Sequence, residues 1–319
     1  MDPLHSALPR DRFLPLPDHA GSSAGRKTGI EVEFAGLSPE QAAEIVRAEW
    51  GGTVTRDGPR DLVVADGRFG RVKIELDITL KNAWAEDMAA GILGDLVPVE
   101  IVTAPMAQAD LPQVEALLSR LAAAGAEGSR AHFAYGFGVH LNPERPDDAA
   151  TVAIARAFAL LEDWLRASDP LDPARRVLPF VDPWPRPLVD ALALAEDWSL
   201  ADLGRAYAQM APSRGYGLDL LPLLQDACPD TLADVPEDQL KGGRPTFHYR
   251  LPETRLDEAD WSLAYEWNRW CVVEKVAADA DLLATLAQEW QAYRAKLTTT
   301  RGDWLALVTE RLTSARLIL

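Results

Sequence analysis

A chain of 319 residues has room for one large domain or two of the usual ~150 residues, and its 48% hydrophobic and 25% charged content describes a sequence that folds around a core. Its 49 acidic against 32 basic residues leave a net charge of −17, which repels phosphate backbones and anionic lipid and argues against a nucleic-acid or membrane-surface binder. Two cysteines, Cys228 and Cys271, supply neither a disulfide framework nor a cysteine-rich zinc site, and no apolar run reaches the ~18 residues that span a bilayer, so a cytoplasmic protein is expected.

Residues 1–27 contain Pro3, Pro9, Pro15 and Pro17 and lack the continuous apolar centre of a signal peptide, so they read as a flexible arm ahead of a domain over 28–319. Within 28–35, apolar Ile30, Val32 and Phe34 alternate with Glu31 and Glu33, the period-two pattern of a half-buried strand with both carboxylates on one face. Ser38, Pro39 and Gln41 supply an N-cap, a first-turn proline and the far end of a capping box for a helix running to about residue 50. Short strands follow at 53–56 and 61–64, and a longer one at 71–78 sets Val72, Ile74, Leu76 and Ile78 against Lys73, Glu75 and Asp77.

A strand over 97–104 carries Glu100 between Val99 and Ile101, with Pro98 pointing to an edge or a strand start. Asp110 and Pro112 open a helix that Gly125 closes, and a strand at 137–142 holds His140 between Val139 and Leu141. Helical patterns at 151–168 and 188–210 flank a proline-rich connector. Because alternation returns at 245–250, with Phe247 and Tyr249 opposite His248 and Arg250, the stretch 151–240 reads as an excursion from a sheet that then resumes. The remainder, 260–319, is helical, with Trp261, Trp267, Trp270, Trp290 and Trp304 as anchors.

These strands gather Glu31, Glu33, Lys73, Glu75, Asp77, Glu100, His140, His248 and Arg250 on polar faces. A half-buried antiparallel strand normally has a solvated outer face, so any one pattern alone has that bland explanation. Two carboxylates on alternate residues, only about 7 Å apart, repel, however, and a divalent cation removes the repulsion. Carboxylate oxygen with occasional imidazole suits Mg²⁺ or Mn²⁺. Each histidine taken singly also fits a satisfied core residue. The segment 241–255 concentrates Lys241, Arg244, Arg250 and Arg255 against Glu253 alone, which fits either a solvated rim or the recognition of a polyphosphate. No phosphate-binding P-loop and no dinucleotide-binding glycine fingerprint is present.

The motifs at 28–34 (TGIEVEF), 99–105 (VEIVTAP), 138–142 (GVHLN) and 247–250 (FHYR), in that order, resemble the amidoligase family, a branch of the carboxylate-amine ligases related to glutamine synthetase and glutamate-cysteine ligase. The resemblance spans about residues 29–258. It implies an α+β fold in which a curved, mainly antiparallel sheet carries helices on its outer face and holds Mg²⁺ and ATP on its concave one. It implies formation of an amide or isopeptide bond through an acyl phosphate. By the same resemblance Glu31, Glu33, Glu100, His140 and His248 are metal ligands, with His140 also meeting nucleotide phosphate. Lys73 and Arg250 contact the nucleotide, Arg250 steadying the transferred phosphoryl group, and Arg214 and Asp77 neighbour the substrate; the cationic segment adds Arg244 as a further nucleotide contact. His248 stands where those ligases carry glutamate, which removes one negative charge from the site.

The partners expected are a carboxylate and an amine, free or in a peptide, with no nucleic acid and no membrane; assembly into a homo-oligomer stays open. Three other readings remain: a kinase acting on a guanidino or amine group, a non-catalytic metal- or nucleotide-binding protein, and a metal-dependent hydrolase, the last without a His-Glu-x-x-His motif to support it.

Overall fold

Alternation along one strand sets the architecture. In the computed structural model, which describes residues 7–19, 25–58, 61–76, 98–131, 136–171 and 181–319, that strand is β1 (Lys27–Phe34). The strands that follow are β2 (Thr53–Arg56), β3 (Leu62–Gly67), β4 (Gly70–Leu76), β5 (Val99–Val102), β6 (Met106–Ala107), β7 (Val139–Pro143), β8 (Leu218–Asp219) and β9 (His248–Tyr249). They form one open antiparallel sheet in the order β2-β3-β4-β5-β1-β7-β9-β8, with β6 pairing the start of β1. Among the described residues the helices are α1 (Pro39–Trp50), α2 (Leu111–Ala123), α3 (Asp148–Ser168), α4 (Arg186–Ala193), α5 (Leu200–Met210), α6 (Leu221–Ala227), α7 (Leu263–Ala278), α8 (Ala280–Ala295) and α9 (Arg301–Ser314). The fold is α+β, and none of these helices is long and apolar enough to cross a membrane.

One face of the sheet is apolar and covered. Ile30, Val32 and Phe34 of β1, Ile74 of β4, Val99 and Ile101 of β5, and Val139 and Leu141 of β7 are all buried in the hydrophobic core. α1 packs on β3 and β4, while Phe158 of α3 and Trp270 of α7 close on Tyr249 of β9, with ring centroids 6.2 and 5.3 Å away. The later helices form a further layer: Trp290 of α8 meets Trp304 of α9 edge-on at 4.9 Å, and Trp304 Nε1 donates to Leu160 O of α3 at 3.1 Å. Trp267, Trp270, Trp290 and Trp304 are therefore core anchors, as the sequence suggests, while Trp261, expected as a fifth, is only half-buried against the core. Residues 7–19 lie against α7, where Trp267 Nε1 donates to Leu14 O and Asn268 Nδ2 donates to Pro9 O and Arg12 O.

The expected strands fall close to the observed ones, and the sheet does resume after the 151–240 stretch, because β8 and β9 join it beside β7. Three details differ. The helix expected over 188–210 is two helices, broken where Ser199 caps α5 in a reciprocal bond pair with Asp202. The strand expected from 137 begins at Val139, because the Gly138 N–H is spent on the Glu33 carboxylate instead of the ladder. The strand expected over 245–250 shortens to His248–Tyr249, with Pro245 unable to donate and Thr246 N bonded back to Arg244 O.

The capping box at α1 is present in full: Gln41 N donates to Ser38 Oγ at 3.2 Å and Ser38 N to Gln41 Oε1 at 2.8 Å. Ser38→Ala is expected to cost about 1 kcal/mol, lowering the melting temperature by about 2–4 °C in calorimetry with the polar face of the sheet undisturbed.

Candidate functional site

Directly opposed residues on neighbouring strands share a face, so the registers fix which side chains meet. Glu31 is opposite Val102 of β5 and His140 of β7; Glu33 is opposite Glu100, and Glu100 opposite Glu75 of β4. Lys73 is opposite Val102, and Asp219 of β8 opposite His248 of β9. Leu141 and Tyr249 face each other on the apolar side, which puts their neighbours His140, Asn142, His248 and Arg250 on the polar one.

On that face the Glu31 carboxylate is the hub. Its Oε2 lies 2.8 Å from His140 Nδ1 and 3.7 Å from His248 Nε2, and its Oε1 accepts from Asn142 Nδ2 at 3.0 Å. Glu33 Oε2 accepts the Gly138 N–H at 2.7 Å, and its Oε1 lies 3.7 Å from His140 Nε2. Asp219 Oδ2 stands 3.3 Å from His248 Nδ1 and accepts from Arg214 Nε at 3.0 Å. Arg250 Nη1 donates to the Arg214 carbonyl at 2.6 Å, so the two arginines are tied together at the end of β9.

Glu31, His140 and His248 offer one ligand atom each within 4.8 Å of one another, and so do Glu33, Glu100 and His140. All five expected metal ligands thus meet in two sets that share His140. Their oxygen and imidazole donors fit a hard divalent cation, and the buried His248 Nε2, which has no hydrogen-bond partner among the described residues, adds a donor atom without another use. Beside them lies a cleft of about 280 Å³ lined by Glu31, Glu75, Glu100, Asn142 and His248 from the sheet and by Arg214, Lys241 and Arg244 from the connections around β8 and β9.

Lys73 also lines the cleft, paired with Glu75 Oε1 at 2.9 Å. Arg255 does not belong to this basic cluster. It is buried, with Nη2 2.7 Å from both carboxylate oxygens of Asp169. Asp77 lies outside the described residues. None of the tryptophans expected as anchors lines the cleft.

Two residues that sequence reasoning left without a role stand out. Asn142 follows His140 by two and holds Glu31, a partnership that the alternation of β7 already contained. Asp219, wholly buried, bridges His248 and Arg214 from a two-residue strand too short to display any period.

A model of the protein family described as "putative amidoligase enzyme" matches residues 24–272, more than half of the chain. The chain belongs to the amidoligase family. The matched stretch runs from β1 into α7 and includes every residue of the polar face described above, leaving α8 and α9 outside it. No curated protein matches the chain.

Electrostatics on this face hold the central groups in defined states. Burial opposes charge on Glu31, but the hydrogen bond with His140 and the attraction of the nearby His248 ring outweigh it and keep the carboxyl well below its usual range. Burial pushes His140 down to about 3 against the pull of Glu31, so at neutral pH its ring is uncharged. A neutral ring beside a carboxylate donates from Nδ1, which leaves the Nε2 lone pair facing Glu33. Burial acts in the same sense on His248, but Asp219 and Glu31 overcome it and raise that ring above the ordinary imidazole value.

Imidazole titrates near 6.5 in an unfolded chain and near 3 at His140, so between those values the unfolded state binds more protons and His140 withdraws stability as pH falls through the window. NMR titration of the metal-free protein is expected to find the His140 ring neutral from about pH 8 down to about pH 5; a midpoint near 6.5 would contradict the assigned burial.

Proposed function

We propose that this amidoligase joins a carboxylate to an amine at the expense of ATP, through an acyl phosphate. The observation that carries the reading is a cleft beside two carboxylate and imidazole ligand sets, where Glu31, Glu100 and His248 of those sets meet Arg214, Lys241 and Arg244. An acidic protein needs such a combination to hold a polyphosphate, since the basic residues and a cation together offset charge that the chain as a whole repels. Membership of the family supports a ligase-like activity.

In this reading Glu31, Glu33, Glu100, His140 and His248 hold Mg²⁺ or Mn²⁺. The bound cation would draw off negative charge from the phosphate oxygens. The protein's own side chains bind and orient. Lys73 and Arg244 contact the nucleotide phosphates, Arg250 steadies the moving phosphoryl group, and Arg214 receives the substrate carboxylate. One carboxylate oxygen attacks the γ-phosphorus, the bond from that phosphorus to the β-phosphate oxygen breaks, and ADP leaves with the electron pair. The amine nitrogen then attacks the acyl carbon, the carbon–oxygen bond to phosphate breaks, and phosphate departs as the amine proton passes to solvent. No protein nucleophile is needed, because positioning and charge neutralisation supply most of the acceleration in such transfers.

A panel of acids paired with amino acids, polyamines and peptides, assayed with ATP and Mg²⁺, is expected to yield ADP, phosphate and a mass-spectrometric amide product for at least one pair. A stable phosphorylated product in place of an amide would identify a kinase instead. Glu31→Gln and Glu33→Gln are each expected to weaken metal-dependent nucleotide binding by at least about 100-fold, more than the usual effect of residues that only support a ligand. Retained affinity in both variants would remove the metal assignment.

A further inference from the structure

Asp219 has no part in the chemistry just described, and its surroundings are unusual. It sits in an edge strand of two residues, yet it is fully buried, and three donors converge on its two oxygens. Oδ1 accepts the N–H of Leu221 at the start of α6 at 2.9 Å. Oδ2 accepts from Arg214 Nε at 3.0 Å and stands 3.3 Å from His248 Nδ1. A carboxylate whose oxygens already act as acceptors imposes the donor role on Nδ1. The lone pair of the neutral ring is then on Nε2, which is buried, lacks a hydrogen-bond partner among the described residues and stands 3.7 Å from Glu31 Oε2.

Arg214 is fixed from the same side. Its Nε is bound to Asp219, its N–H to Gln239 Oε1 at 3.0 Å, and its carbonyl accepts from Arg250. Neither terminal nitrogen of its guanidinium has a protein partner among the described residues, and Arg214 lines the cleft. One oxygen atom therefore sets both the imidazole on the sheet and the guanidinium across from it.

We infer that Asp219 is a positioning residue that fixes His248 as the Nδ1–H tautomer, with Nε2 aimed at the Glu31 and His140 ligand set, and through the same oxygen holds Arg214 ready for an anionic substrate group. Carboxylates that support ligand histidines commonly act this way, and their loss costs about 10–100-fold in metal affinity. The effect on metal rests on the reading of Glu31, His140 and His248 as ligands; the effect on the tautomer does not. A purely structural role is the contrasting account, since Oδ1 also secures the first turn of α6.

The two accounts separate by ¹⁵N NMR of the histidine rings in the full-length, metal-free protein, at a pH where His248 is neutral, followed by Mn²⁺ titration of the wild type and Asp219→Ala. The expected result is His248 with its proton on Nδ1 in the wild type, a shift toward the Nε2–H form in folded Asp219→Ala, and a loss of about 10–100-fold in Mn²⁺ affinity. A structural role would lower the melting temperature of the variant while leaving tautomer and affinity of its folded form unchanged, and that result overturns the inference. So does a wild-type His248 protonated on Nε2, a measurement that decides the matter even if Asp219→Ala fails to fold. If the wild type binds no Mn²⁺ while the tautomer is as expected and is lost in the variant, the metal reading fails and the positioning role stands.

Discussion

Glu31 lies in the middle strand of the sheet with 13% of its side chain exposed, and a carboxylate so far removed from water keeps its charge only where donors reach it. His140 and Asn142 supply those donors from β7, and His248 adds a third approach from β9. The need to satisfy this one charge links three strands that are far apart in sequence. Glu33 faces the same problem one step along and solves it differently, drawing on the Gly138 N–H. The histidines are thereby fixed as partners of carboxylates, with ring nitrogens left over for a ligand.

The two faces of the sheet divide the work. Aliphatic and aromatic side chains on one face anchor α1, α3 and α7 and make the strands rigid; the other face inherits that rigidity and uses it to hold charged groups at fixed separations. The cationic side of the cleft comes from elsewhere. Arg214, Lys241 and Arg244 are brought in by the segments around β8 and β9, from the excursion and the stretch that follows it, and they supply positive charge to a site that the sheet alone would make strongly acidic. A net charge of −17 is thus compatible with an anionic substrate, because the local balance at the cleft differs from the balance of the chain.

Much of this was legible in the sequence wherever a period could be counted. β1, β4 and β7 each alternate over five residues or more, so the faces of Glu31, Glu33, Lys73, Glu75 and His140 followed directly, and Ser38 with Gln41 announced the start of α1. β8 is two residues, too short for periodicity, and enters the sheet through tertiary contacts, so the role of Asp219 was invisible, whereas the alternation over 245–250 had already set His248 and Arg250 on one face of β9. Local charge density misled at Arg255, which neighbours Arg250 in sequence but turns to Asp169 in the interior. The break between α4 and α5 shows the reverse case, a cap at Ser199 overriding an otherwise continuous helical pattern.

The account stands or falls on whether the polar face of the sheet is a cation site. Crystals grown with Mn²⁺ and a nonhydrolysable ATP analogue, with anomalous differences collected at a wavelength where manganese scatters strongly, test this most directly. An anomalous peak within coordination distance of Glu31, Glu33, Glu100, His140 or His248, with phosphate density reaching toward Arg244, is the result predicted. Manganese bound elsewhere, with Glu31 still held by His140 and Asn142 and no nucleotide in the cleft, would contradict it.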